Sequence, residues 1–215
     1  GVPKGNRLVT LGIGDDCAIL RPRTGEELLV TTDFSIEDVH FRRANLTAAT
    51  IGWRALGRGL SDIAAMGGTA RHALVSLALA DWACHSFVRD LYRGMRQLAD
   101  RYGVTIVGGD ISRAGKLVID IVVLGGVARG KALRRDGACP GDGIFVSGTL
   151  GHAAVSQYRE RFEPRLALGA KLRGKATACM DLSDGLALDL HRLCLASGVA
   201  AELDAKRAIK AGTEL

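Results

Sequence analysis

Along the first 130 residues the apolar positions alternate between the two-residue period of strands and the three-to-four-residue period of helices. Residues 8–20 read as an apolar strand carrying glycines, and Leu28-Leu29-Val30-Thr31-Thr32 as a β-branched one. Thr47 is placed to cap a helix running to about Met66, with Trp53, Leu56, Leu60 and Ile63 as its apolar stripe and Gly67-Gly68 as its stop. Residues 71–80 read as a strand. Ser86 is placed to cap a second helix ending at Tyr102, with Gly103 in the C-terminal glycine position. Residues 104–107 and 117–127 supply two more strands, the second largely apolar but carrying Asp120. The order β-β-α-β-α-β-β predicts one sheet with both helices on a single face, an α+β/α/β arrangement.

A second unit is expected after Arg129. Residues 136–143 are turn-rich, 144–147 read as a strand, and Gly148-Thr149-Leu150-Gly151 opens a helix. Glu163-Pro164-Arg165 introduces another helix, 177–180 reads as a strand, and a last helix runs to about Ser197 with Gly198 as its stop. The expected division is a domain over residues 1–129 followed by an incomplete α/β domain over 130–215.

Acids stand in this pattern where apolar residues belong. Asp15 and Asp16 follow Gly12-Ile13-Gly14, and Asp33 is expected to end the Val30-Thr31-Thr32 run on a neighbouring strand. Carboxylates buried in a sheet cost several kcal/mol unless cations or hydrogen bonds compensate. Either motif alone reads as a turn or a strand end. Together, with no Cys or His cluster beside them, they point to a hard cation such as Mg²⁺ rather than Zn²⁺. Asp62 sits off the apolar stripe of its helix, on a face with Ala55, Gly59 and Met66 that is small enough for a strand or nucleotide to approach. Gly108-Gly109-Asp110 follows an apolar strand, where glycines let backbone amides reach phosphate, although a plain turn has the same composition. In Asp181-Leu182-Ser183-Asp184-Gly185, Ser183 or Asp184 serves equally well as helix cap or ligand.

Composition narrows the class. The chain has 215 residues, 47% of them hydrophobic, enough for a real core. It contains no apolar run of membrane-spanning length. Its five scattered cysteines form no Cys-x-x-Cys pair, which favours reduced thiols in the cytoplasm. The net charge of +6 is spread out and aromatic residues make up only 5%, so a nucleic-acid partner is not expected, whereas a modest positive field suits phosphorylated small molecules. One near-match misleads. Gly169 to Ala176 approximates a P-loop, but it leaves a helical pattern, enters a strand pattern and ends in Ala176, without the hydroxyl that binds Mg²⁺.

The ordered set Gly-Ile-Gly-Asp-Asp, Thr-Thr-Asp, Val-His-Phe, Leu-Ser-Asp-Ile-Ala-Ala-Met-Gly, Gly-Gly-Asp and Asp-Leu-Ser-Asp-Gly-Leu resembles the thiamine-monophosphate kinases. These belong to the superfamily of aminoimidazole ribonucleotide synthetase and selenophosphate synthetase. The resemblance implies ATP-dependent phosphorylation of thiamine monophosphate to thiamine diphosphate with several Mg²⁺ ions, in a homodimer joined through the first domain. Carried over by position, it implies metal ligands at Asp16, Thr31, Thr32, Asp33, Asp62, Asp110, Asp181 and Asp184. It implies ATP contacts at Gly109, Asp110, Arg135, Ser183 and Tyr92 and a substrate contact at His40; because a phosphate monoester is already largely ionised at neutral pH, no general base is expected. Strand alternation puts Thr31 and Asp33 on one face and Thr32 on the other. The chain departs from the family pattern in carrying Gly59 where Asn is usual, in a short segment over 157–163, and in stopping before the acidic-aromatic part of the second domain. Two other readings stay open: another synthetase or ligase of the superfamily with a different acceptor, and a non-catalytic nucleotide-binding regulator.

Overall fold

A computed structural model describes residues 8–11, 19–156 and 158–204. The main sheet is built from β3 (Glu26–Ile36), β4 (Thr69–Leu79), β5 (Thr105–Arg113) and β6 (Val118–Ala128), in the order β3-β6-β4-β5. The β4–β5 pair is parallel and the other two pairs are antiparallel. Helix α1 (Ala48–Ala65) lies across β3, β6 and β4, and α2 (His85–Tyr102) packs on α1 and β5. Both helices therefore cover one face, as the element order predicts.

Local chemistry sets the helix ends. The Thr50 N–H donates to Thr47 Oγ1 at 3.2 Å, and Gly67 leaves the far end of α1 with φ +67°. Trp53, Leu56, Leu60 and Ile63 are all buried, which is the stripe the sequence marks. On α2 the cap position belongs to Cys84 rather than Ser86. Ser86 lies in the first turn with its hydroxyl 3.1 Å from Cys84 Sγ, while Gly103 takes the left-handed stop at φ +66°.

Glycines let the layers close up. A Cβ on Gly94 would lie 1.8 Å from the Ala49 carbonyl oxygen, and one on Gly52 would lie 2.0 Å from that of Leu91. The two helices thus touch backbone to backbone. Under α1, a Cβ on Gly59 would meet Val123 Cγ2 of β6 at 2.7 Å, so the small face beside Asp62 is small for the sheet's sake.

Several expected boundaries change. The 8–20 strand is not a member of the main sheet: its described parts, β1 (Val9–Leu11) and β2 (Ile19–Leu20), pair with each other in a separate two-stranded sheet. Residues 12–18, including Asp15 and Asp16, lie outside the described residues. β3 runs on to Ile36 because β6 pairs with it along its whole length, so Asp33 is mid-strand. β5 likewise runs through Gly108-Gly109-Asp110, which is strand and not turn, held in register by β4.

The second unit contributes α3 (His152–Val155), α4 (Leu166–Leu172) and α5 (Leu186–Ser197). No strand forms over 144–147 or 177–180, because neither segment has a neighbouring strand to receive its ladder among the described residues. The Cys179 N–H bonds instead to the loop carbonyl of Arg134 at 2.8 Å, and Phe145 is exposed. The segment before α4 is tied to α1: Trp53 Nε1 donates to the Phe162 carbonyl at 2.9 Å and Arg54 Nη1 to that of Glu160 at 2.6 Å. Gly169 presses α4 onto the Ala64 carbonyl, and Gly174 turns the chain out at φ +73°, so the apparent P-loop is a packed helix with a glycine exit.

The α1–α2 contact yields a stability prediction. Gly94→Ala is expected to cost about 1–3 kcal/mol or more, the scale of overpacking a closed core, with Gly115→Ala, whose new Cβ would meet nothing within 4 Å, as the near-neutral control. Urea denaturation of both variants checks this.

Candidate functional site

Where β3 passes under α1, the sheet's helix-covered face carries acids. Thr31 and Asp33 point to that face, with Leu29 and Ser35 before and after them, and Asp62 comes down from α1. The Thr31 hydroxyl donates to Asp62 Oδ2 in a short hydrogen bond. Arg58, one turn before Asp62, donates Nη2 to Asp33 Oδ1 at 3.1 Å. Asp181 arrives from the loop before α5.

These three carboxylates feel one another. Burial raises the pKa of Asp33; Arg58 opposes this and Asp181 adds to it. Asp62 is raised by burial, held back by the Thr31 hydrogen bond and pushed up again by Asp33. Asp181 is raised by burial and then by Asp62, while the Arg135 guanidinium lowers both Asp62 and Asp181. The result is a set of half-buried, mutually repelling carboxylates balanced in part by Arg58 and Arg135.

The loop carrying Asp181 is organised by a residue that the sequence reading missed. Asp189, in the first turn of α5 and 1% exposed, accepts through Oδ2 from the N–H groups of Ser183, Asp184 and Gly185 at 2.9, 2.8 and 3.1 Å. Arg192 donates to its other oxygen at 3.0 Å and also holds Asp184. Neither Ser183 nor Asp184 caps the helix, whose N-cap is Gly185. An acid in the first turn after Asp-Gly was the available signal. Arg58 had one too: it stands four residues before Asp62, hence on the same side of α1.

The remaining predicted positions lie elsewhere. Thr32 faces away from the helices, and its hydroxyl donates to Asp120 Oδ1 at 2.6 Å. The register aligns Asp120, Ser76 and Asp110 in one row across β6, β4 and β5, so Asp110 belongs to this opposite face and does not join Asp33 and Asp62. Its own carboxylate accepts the Ile111 N–H at 2.8 Å. Gly109 is in the row of Asp33 and has φ +144°, with no room for a Cβ beside the Val75 carbonyl. Tyr92 is half-buried on α2 at the edge of the core, and burial raises its pKa. His40 accepts the Ile36 N–H at Nδ1, 3.0 Å away, in the turn after β3.

The donor chemistry fits Mg²⁺. Oxygen ligands, mutual repulsion among Asp33, Asp62 and Asp181, and incomplete counter-charge are what a hard divalent cation relieves. The fit is electrostatic and not a finished cage, since among the described residues no three His, Cys, Asp or Glu side chains are grouped to hold an ion.

This sheet, with two helices on one face and acids beneath the first, defines the class. The family described as AIR synthase related protein, N-terminal domain, matches residues 14–127, more than half the chain. The thiamine-monophosphate kinase of Bacillus subtilis (strain 168) is 36% identical over 218 residues, covering 91% of this chain and 67% of that protein. The crystal structure of thiamine-monophosphate kinase from Stenotrophomonas maltophilia K279a superposes with a TM-score of 0.83 at 37% identity, over 90% of this chain and 68% of that one. AaThiL complexed with AMPPCP and TMP gives a TM-score of 0.76 at 34% identity, over 83% of this chain and 63% of that one. The chain belongs to the thiamine-monophosphate kinase family. It spans about two thirds of the length of these relatives.

The raised carboxylates predict a pH signature for the metal-free protein. A carboxylate whose native pKa lies above the ordinary 3.8 penalises folding only where it is ionised, so the penalty is absent below that value and grows as pH rises through the native pKa. Asp181→Asn should therefore melt higher than the parent near pH 7, with the gain vanishing near pH 4. Added Mg²⁺ should stabilise the parent more than the variant. Calorimetric melting across pH, with and without Mg²⁺, measures both.

Proposed function

We propose that the complete protein transfers the γ-phosphoryl group of ATP to the phosphate of thiamine monophosphate, giving thiamine diphosphate. The observation that carries this reading is the electrostatic coupling of the half-buried Asp33, Asp62 and Asp181 with one another and with Arg58 and Arg135, in a chain of this family. The binding of AMPPCP and TMP by AaThiL supports the choice of both substrates.

Mg²⁺ held by Asp33, Asp62 and Asp181 would supply charge neutralisation to the phosphate oxygens, the main requirement of phosphoryl transfer. The chain's own residues do the positioning. Thr31 fixes the Asp62 carboxylate, Asp189 fixes the backbone of the Asp181 loop, and Arg135 adds positive charge on the side of Asp62 and Asp181. No general base is needed, because a phosphate monoester with a second pKa of about 6 is largely dianionic at neutral pH. The family resemblance adds Asp16 and Asp184 as further ligands, Gly109, Asp110, Ser183 and Tyr92 at the nucleotide, and His40 at the acceptor; Thr32 and Asp110, which it also makes ligands, face the other side of the sheet and would serve a separate ion there. In this reading residues 1–129 form the ATP- and Mg²⁺-binding unit and 130–215 begin the second domain. The free thiols of Cys84, Cys139, Cys179 and Cys194 suit a cytoplasmic setting.

The reading also includes a homodimer. Opposite the helices, β3 exposes Leu28, Val30 and Phe34 at 66, 60 and 54%. A sheet face of that kind asks for a partner layer, and the family resemblance makes that layer a second copy.

Two measurements test the proposal. In a full-length protein Asp62→Asn should lower turnover at least about 10²-fold, the scale of removing one transition-state electrostatic contact; near-normal turnover with intact folding would remove Asp62 from the site. Light scattering at micromolar concentration should give twice the chain mass, and a monomer throughout a dilution series would refute the dimer.

A further inference from the structure

Next to the carboxylates, on the other side of Arg58, lies a small cavity lined by Ser35, His40, Phe41, Ile51, Arg54 and Arg58. Its charge is lopsided. Arg54 and Arg58 stand one turn apart on α1 and so present two guanidinium groups to the same side. Burial lowers the pKa of Arg54 and the charge of Arg58 lowers it further; the same two causes lower His40. Among the described residues Arg54 donates to a backbone carbonyl, that of Glu160, and its guanidinium lies 5.6 Å over the Phe162 ring. Arg58 holds the Asp33 carboxylate at 3.1 Å. His40, neutral and accepting at Nδ1, carries its proton on Nε2 and is therefore a donor. Apolar Phe41 and Ile51 keep the local dielectric low, which strengthens the field of the two cations.

We propose that Arg58 and Arg54 form an anion clamp, with His40 as a third donor, that selects a phosphate monoester acceptor over the corresponding alcohol. This rests on the kinase reading above and assigns to these two arginines the recognition of the acceptor's phosphate. Arg58 is the pivot because it is shared. While Asp33 is otherwise unneutralised, Arg58 is its counter-ion. A cation on Asp33 takes over that duty and leaves the guanidinium to the acceptor's phosphate, so acceptor phosphate and cation should bind with positive coupling, each strengthening the other. A planar guanidinium can serve both oxygen acids at once through different N–H groups, which an ammonium does less well.

The test is calorimetric titration of the full-length protein with thiamine monophosphate, thiamine and inorganic phosphate, each with and without Mg²⁺. In the wild type, thiamine monophosphate should bind at least about tenfold more tightly than thiamine, and Mg²⁺ should widen the gap. Arg58→Gln should lose about 10- to 100-fold in affinity for thiamine monophosphate, little for thiamine, and less than about threefold for Mg²⁺–ATP. Arg58→Lys should recover part of the loss, and Arg54→Gln should show the same pattern more weakly. Unchanged phosphate and thiamine monophosphate binding in both Gln variants, or equal losses for thiamine and its monophosphate, would overturn the clamp. Arg58-dependent binding of inorganic phosphate in a protein that ignores thiamine monophosphate would leave the clamp standing and remove the acceptor assigned above.

Discussion

Close approach around α1 fixes how the layers of this structure sit on one another. The helix touches α2 through Gly52 and Gly94, β6 through Gly59, and α4 through Ala64 against Gly169. Each contact leaves no space for a Cβ, so the helix cannot slide or rotate without a clash. That rigidity brings the two acids of α1 and β3 into play. Asp62 meets Thr31 and Arg58 meets Asp33 where Gly59 lets the helix lie directly on Val123 of the sheet. The glycine standing where the family pattern has Asn thus has a packing reason in this chain.

The same closeness stores electrostatic work in the site. Asp33, Asp62 and Asp181 are drawn part-way out of water and toward each other, and each is harder to ionise than an exposed carboxylate. Two arginines and a hydroxyl offset part of this. A site arranged in this way trades folding stability for affinity toward cations and the phosphates they accompany. Asp189 has the opposite role. Almost fully buried, it is satisfied by three N–H groups and Arg192, and its purpose is to hold the loop that presents Asp181.

The two faces of the sheet divide the labour. The helix-covered face holds the core and the carboxylates. The other face carries exposed apolar side chains on β3 around a polar row in which Thr32 bonds Asp120, in register with Ser76 and Asp110. Asp110 and Asp62, both candidate ligands by motif, stand on opposite sides of a β layer.

Legible in residue order alone were the succession of elements from β3 to β6, the capping of α1 by Thr47, the glycine stops at Gly67 and Gly103, the burial of Trp53, Leu56, Leu60 and Ile63, and the irrelevance of the apparent P-loop. These depend on interactions within a turn or two of chain, where residue type and spacing are sufficient. Alternation along β3 also separated Thr31 and Asp33 from Thr32 correctly. How far the strands run depends on long-range pairing, because β3 past Asp33 and β5 through Gly109 are held by partners distant in sequence. For the same reason the segments 144–147 and 177–180 form no strand, since an isolated β pattern has no ladder to join. Which acids converge was a tertiary matter as well. Asp181 reaches Asp62 from 119 positions away through a loop folded around Asp189, and Arg58 becomes a partner of Asp33 only once helix and sheet are pressed together. Spacing along the chain says which side of an element a residue occupies; the distance between elements is set by packing alone.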